Sequence, residues 1–280
     1  MKPPIDTLPL FPVLNRELVS FLKNLSPEDW QKQTVARLWK VKDVAAHLLD
    51  GNFRRIALHR DGWVTSVADP VNSYADLVRF LDGLNADWVK AAKRLSPQLI
   101  IELLESTNEE VFKLFSNLDP FGESVYPVSW AGEDKSYNWF DIAREYTERW
   151  LHQQQIREAT GNKDIMNRQL YYPFLNVFMQ AWPATMRGLG EDETVLKTTI
   201  TGEGGGEWLL RKERGEWTLR QAGEMNGKTA DFLAEAIIDG DVAWKLFSKS
   251  VRKADINGSF EIKGDIALGE KVLDMISVMA

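Results

Sequence analysis

The chain has 280 residues, 44% hydrophobic and 27% charged, the balance of a globular protein with one large domain or two ordinary ones rather than a disordered chain or a fibre. Its formal net charge of -7 argues against a nucleic-acid groove or an anionic membrane surface as the main partner. There is no cysteine, which excludes disulfides, zinc–thiolate sites, cysteine-ligated clusters and a cysteine nucleophile. Histidine chemistry rests with His47, His59 and His152 alone.

The first residues, MKPPIDTLPLFPVLNRELV, hold one Lys and four prolines and read as neither a signal nor a transit peptide. No run approaches the roughly 18 apolar residues of a membrane span. A cytoplasmic chain is expected. A short amphipathic run covers Asn15 to Leu25, and Ser26-Pro27-Glu28-Asp29 has the form of a helix N-cap with acidic residues behind it. Val44, Ala45, Leu48, Leu49, Phe53 and Ile56 give a helix from Val41 to about Arg60. The next begins at Ser73 and carries Leu77, Phe80, Leu81, Leu84 and Trp88; another opens at Ser96-Pro97. After a Pro-, Gly- and Ser-rich loop (119–136), a helix from Asn138 ends at Gly161 as C-cap. Four long helices and a short leading one, joined by such loops, predict an antiparallel four-helix bundle over residues 1–161.

From residue 165 to 280 the pattern changes to a small α+β domain with an antiparallel sheet. Residues 167–189 are helical in pattern, with Pro173 and Pro183 expected to bend or interrupt them. Strands are expected at Thr194–Thr201, around Trp208–Leu210 and at Glu216–Arg220, with Gly202–Gly206 as a hairpin turn. The alternation of Ala230, Phe232, Ala234, Ala236 and Ile238 gives a further strand. Asp241 is expected to cap a helix, and a short strand at Phe260–Ile262 and a helix over Ile266–Val278 close the chain.

The sharpest local feature is Glu148-Arg149-Trp150-Leu151-His152. Residues i and i+4 of a helix lie about 40° apart, one turn from each other, so this carboxylate and imidazole can reach one cation. Asp141 and Glu145 share the stripe, while Trp139, Ala143, Tyr146 and Trp150 form an apolar stripe opposite. An exposed ion pair produces the same spacing. His47, in a largely apolar helical segment, is the best third ligand, and its other reading is a buried histidine satisfied by one hydrogen bond. Asp43 and Arg54 lie near its face. His59, beside Arg60, Asp61 and Gly62, belongs to a solvated helix end. Two histidines and one carboxylate leave coordination positions open, the pattern of a catalytic divalent ion, with Zn²⁺, Ni²⁺, Fe²⁺ and Mn²⁺ all compatible. Arg144 and Arg157, on the same helix, could offer charge to an anionic substrate; both point away from the stripe, which favours reading them as ordinary surface arginines. Gly202–Gly206 lacks the Lys-Ser/Thr of a phosphate loop, and no nucleophile elbow is present.

Trp39-Lys40-Val41-Lys42-Asp43-Val44-Ala45-Ala46-His47-Leu48, together with Glu148–His152 and the following Ile156-Arg157-Glu158-Ala159-Thr160-Gly161, resembles the two signatures of the mycothiol-dependent maleylpyruvate isomerase N-terminal family, within the DinB-like superfamily. The resemblance covers about residues 10–161 and implies a four-helix bundle binding a divalent metal, commonly zinc, through His47, Glu148 and His152. It also implies a low-molecular-weight thiol cosubstrate, bound as thiolate and attacking a small electrophile, in a thiol transferase or isomerase. The second half is similar to the α+β, sterol-carrier-protein-2-like domain of that family, on Asp241–Phe247 and Ile262–Asp265. A homodimer is compatible with it. Two other classes stay open on the residues: a carrier holding an apolar ligand in the second half, and a metal hydrolase without any thiol.

Overall fold

The computed structural model describes residues 1–64, 73–221 and 231–278. By its internal contacts the chain divides into two compact units, residues 1–122 with 145–164, and residues 123–144 with 165–280. The segment 123–144, expected with the helical half, thus groups with the second unit. No helix among the described residues is long and apolar enough to cross a membrane.

The first unit holds α1 (Phe11–Lys23), α2 (Val41–His59), α3 (Tyr74–Ala92), α4 (Pro97–Ser116) and the greater part of α5 (Asn138–Ala159). Its helix ends follow local chemistry. Ser73 Oγ accepts from Asp76 N and Ser96 Oγ from Leu99 N, each at an N-cap. Lys40 N donates to Asp43 Oδ2 at the start of α2, so Asp43 serves the helix end rather than His47. Ser26 Oγ likewise accepts from Asp29 N, but only a 3-10 turn over Asp29–Gln31 follows, not the α-helix its sequence suggests. At the far end of α5, Gly161 takes φ +81° and the Asn162 amide returns to the Arg157 carbonyl, a glycine-dependent stop.

A continuous apolar core runs through Leu18 and Leu22 of α1, Val41, Val44, Ala45 and Leu49 of α2, Ile100 and Leu104 of α4, and Ile156 of α5. The leading helix is therefore a full member of the bundle. By contrast α3 packs on α2 and buries only Val89 and Ala92 fully.

The second unit contains α6 (Tyr171–Phe178) and α7 (Trp182–Thr185) separated by a 3-10 turn at Met179–Ala181, then a five-stranded sheet. Pro173 lies in the first turn of α6, where no intrahelical amide is missing, so it does not interrupt; Pro183 opens α7, where the helix does break. The strands are β1 (Val195–Ile200), β2 (Gly206–Glu213), β3 (Glu216–Gln221), β4 (Ala234–Ile238) and β5 (Phe260–Gly264), ordered β3-β2-β1-β4-β5.

The sheet is mostly antiparallel, as expected, with one parallel pair, β1 on β4. Of the alternating run, Phe232 is exposed and precedes β4, and Ala230 lies outside the described residues. One face of the sheet is buried through Leu196, Ile200, Trp208, Leu210, Ala236 and Ile238. Asp239, not Asp241, caps α8 (Gly240–Phe247), its Oδ1 accepting from Asp241 N. The last helical stretch is split into α9 (Ile266–Gly269) and a 3-10 turn over Glu270–Asp274.

The β1–β2 turn requires glycine. A Cβ at Gly205 would stand 2.0 Å from the Ile200 carbonyl oxygen, whereas one at Gly83, inside α3, would meet nothing within 4 Å. Gly205→Ala is expected to destabilise the protein by about 1–3 kcal/mol, and Gly83→Ala to stabilise it by about 0.5–1 kcal/mol. Denaturant unfolding of the two variants measures both, and the same sign in both would contradict this account of the turn.

Candidate metal centre

α5 sets Glu148 and His152 one turn apart, and the His152 Nε2–Glu148 Oε2 distance is 3.3 Å. α2 brings His47 to the same place: its ring centre is 4.6 Å from that of His152, nearly edge-on. One ligand atom from each of His47, Glu148 and His152 lies within 4.8 Å of the others. Ligands about 2.1 Å from a tetrahedral zinc stand about 3.4 Å apart, so small side-chain adjustments close these three onto a single ion. Glu148 and His47 are partly exposed and His152 is buried, which leaves the cluster approachable on the Glu148 side.

The chemistry of the donors fits a cation. His47 Nδ1 is buried with no hydrogen-bond partner among the described residues, so the single hydrogen bond of a satisfied buried histidine is not made there. An orphaned buried nitrogen costs about 1–3 kcal/mol and calls for an explanation. Burial pushes the His47 imidazole well below its ordinary pKa, with His152 and Arg54 adding to the shift; the ring is neutral, as a ligand must be. His152 Nδ1 meets Gln155 Oε1 at 2.9 Å. A proton on Nδ1 donated to that oxygen leaves the Nε2 lone pair facing the cluster, the usual way an outer group fixes a ligand imidazole.

Trp39 completes the surroundings, its ring 4.7 Å from His47 and 6.1 Å from His152. Its carbonyl is held by Gln33 Nε2 and Thr34 Oγ1, each at 2.8 Å. Trp39 belongs to the first signature but stood there without a role; Gln155, at i+3 from His152, is the kind of neighbour helical spacing signals.

The other candidates are engaged elsewhere. Glu145 pairs with Arg55 at 2.7 Å, and Asp141 with Arg144 at 2.5 Å. Arg157 is neither a surface residue nor presented to a substrate: it is 2% exposed, donates to Asn162 Oδ1 and the Glu17 carbonyl, and lies over the Phe21 ring. Arg54 bonds Asp50 at 3.1 Å and Asn85 at 3.2 Å. His59 meets Arg55 and the edge of Phe115, outside the cluster of three.

Residues 12–157 match the family described as the mycothiol maleylpyruvate isomerase N-terminal domain, which is more than half of the chain. The chain belongs to this family. Two solved structures share its fold: the mycothiol-dependent maleylpyruvate isomerase and a histidine-to-alanine mutant of that enzyme. Each has a TM-score of 0.52 and 9% identity over 87% of this chain and 88% of the other. At that identity the likeness is one of fold. No curated protein matches the chain.

The neutral His47 makes a prediction for the chelator-treated protein. Its folded pKa lies below the ordinary value of about 6.5, so between those two values the unfolded chain binds a proton that the folded chain does not. Stability therefore rises with pH through that window and is complete above it. Melting from about pH 7 down to about pH 5 should show a falling midpoint, with a shallower fall in His47→Gln; equal slopes in the two proteins would refute the assignment.

Proposed function

We propose that this protein is a divalent-metal-dependent enzyme that joins a low-molecular-weight thiol to a small electrophile, as a thiol S-transferase or in the manner of a maleylpyruvate isomerase. The supporting observation is the convergence of His47, Glu148 and His152 to within 4.8 Å, around an imidazole whose buried nitrogen has no hydrogen-bond partner among the described residues. Membership of a family described by mycothiol, and the fold shared with a mycothiol-dependent isomerase, support the thiol. Two nitrogen donors and one oxygen, with no thiolate, favour zinc, with nickel, iron and manganese compatible.

An ion held there would supply Lewis acidity, keeping a bound thiol deprotonated at neutral pH. The chain's own groups do the rest. His47 and His152 offer ring nitrogens, Glu148 offers a carboxylate oxygen, and three ligands leave room for the thiol. Gln155 holds the His152 ring in its orientation, and the Trp39 ring packs against that of His47. The absence of cysteine is consistent with a thiol supplied from outside.

Metal analysis of purified protein should give one divalent ion per chain, and His47→Ala and His152→Ala should lose it while keeping the far-UV circular dichroism of the parent. Turnover of a panel of small electrophiles should require an added thiol and vanish in both variants. Fully metallated variants would remove the site, and turnover undiminished without thiol would remove the thiol from the reaction.

A further inference from the structure

One layer along the bundle from the histidines, the interior holds a cation with no hydrogen-bonded carboxylate among the described residues. Arg149 is 5% exposed. Its Nη1 donates to Asn108 Oδ1 at 2.8 Å and Asn15 Oδ1 at 3.3 Å, and its Nη2 to Asn52 Oδ1. Asn52 Nδ2 in turn donates to Asn108 Oδ1 and Thr107 Oγ1, both at 2.8 Å. The guanidinium also lies 5.4 Å from the centre of the Phe11 ring. Each of the three asparagines comes from a different helix, α1, α2 and α4, and Arg149 from α5. The nearby negative charge of Glu145 acts on Arg149, but its carboxylate is bonded to Arg55.

Such an arrangement is a poor source of stability, because burying a charge among neutral amides costs more than it returns. It is a good source of register. Apolar ridges tolerate sliding, whereas three oxygens on three helices meet one planar fork at a single axial setting. Arg149 lies about 4.5 Å along α5 from His152, and Asn52 about 7.5 Å along α2 from His47. The next layer on, Arg55–Glu145, continues the same antiparallel alignment.

We propose that Arg149 is a positioning residue for the His47–Glu148–His152 cluster: by fastening α5 to Asn15, Asn52 and Asn108 it fixes the axial register in which Glu148 and His152 meet His47. The metal consequence rests on the function proposed above; the register itself does not.

The test uses the full chain with Arg149→Met and Asn108→Leu, the latter deleting a single anchor in case the former does not fold. In metal-free protein of native far-UV circular dichroism, the imidazole NMR resonances of His47 and His152 should move, since each ring feels the other and Trp39. Co²⁺ should bind at least tenfold more weakly, with an altered visible spectrum, in a variant that still melts cooperatively. Imidazole resonances at their parental positions in a folded variant, with Co²⁺ affinity unchanged, would overturn the proposal. If the parent protein itself takes up no Co²⁺, the metal reading fails and the imidazole resonances alone decide the register.

Discussion

The alignment of α2 against α5 is the constraint on which the candidate site depends. Glu148 and His152 are neighbours by helical geometry wherever α5 lies, because i and i+4 always share a face. His47 joins them only if α2 runs antiparallel to α5 at one axial setting, with the two imidazoles 4.6 Å apart. Three successive layers share that setting: the histidines, the contact of Arg149 with Asn52, and the pairing of Arg55 with Glu145. Directional polar contacts thus stand in the same part of the bundle as the apolar core, and they discriminate between registers that apolar packing alone would accept.

The same economy of buried charge explains why Glu148 is the acid left to the cluster. Asp141, Glu145 and Glu148 all lie on the stripe that faces His152 in the sequence. A carboxylate taken out of water must find a cation or hydrogen-bond donors. Asp141 finds Arg144 and Glu145 finds Arg55, leaving Glu148, partly exposed and 3.3 Å from His152 Nε2. Arg157 shows the converse. Helical position suggested a surface or substrate-facing arginine, but its guanidinium is enclosed by Glu17, Asn162 and the Phe21 ring, a use of the residue that no local spacing announces.

Local signals located most elements because they rest on local forces. Ser73 and Ser96 cap the helices they precede, and Gly161 ends α5 at a positive φ. Where the reading departed from the structure, a nonlocal force decided. Ser26 and Asp29 make the reciprocal bonds of a cap, yet the chain turns after one 3-10 turn into the strap that carries Trp39. The alternating pattern around Phe232 continues a strand on paper, while the ladder with β1 begins only at Ala234. Nothing in the spacing of single strands specifies that β1 and β4 run parallel, since strand direction is a property of the pair.

What the amino-acid order determined by itself is what short-range physics controls: helix and strand periods, caps and turns, the lack of any cysteine thiol of the chain's own, and the facing pair Glu148 and His152. The two signatures around His47 and Glu148–His152 also sufficed to indicate the family. Only the tertiary structure decided that His47 reaches that pair, that its Nδ1 has no partner among the described residues, that Trp39 and Gln155 flank the cluster, and that Arg149 is gripped by asparagines from three other helices. Those facts depend on helices distant in sequence meeting at one register, and the free energy that selects a register arises only when the core is assembled.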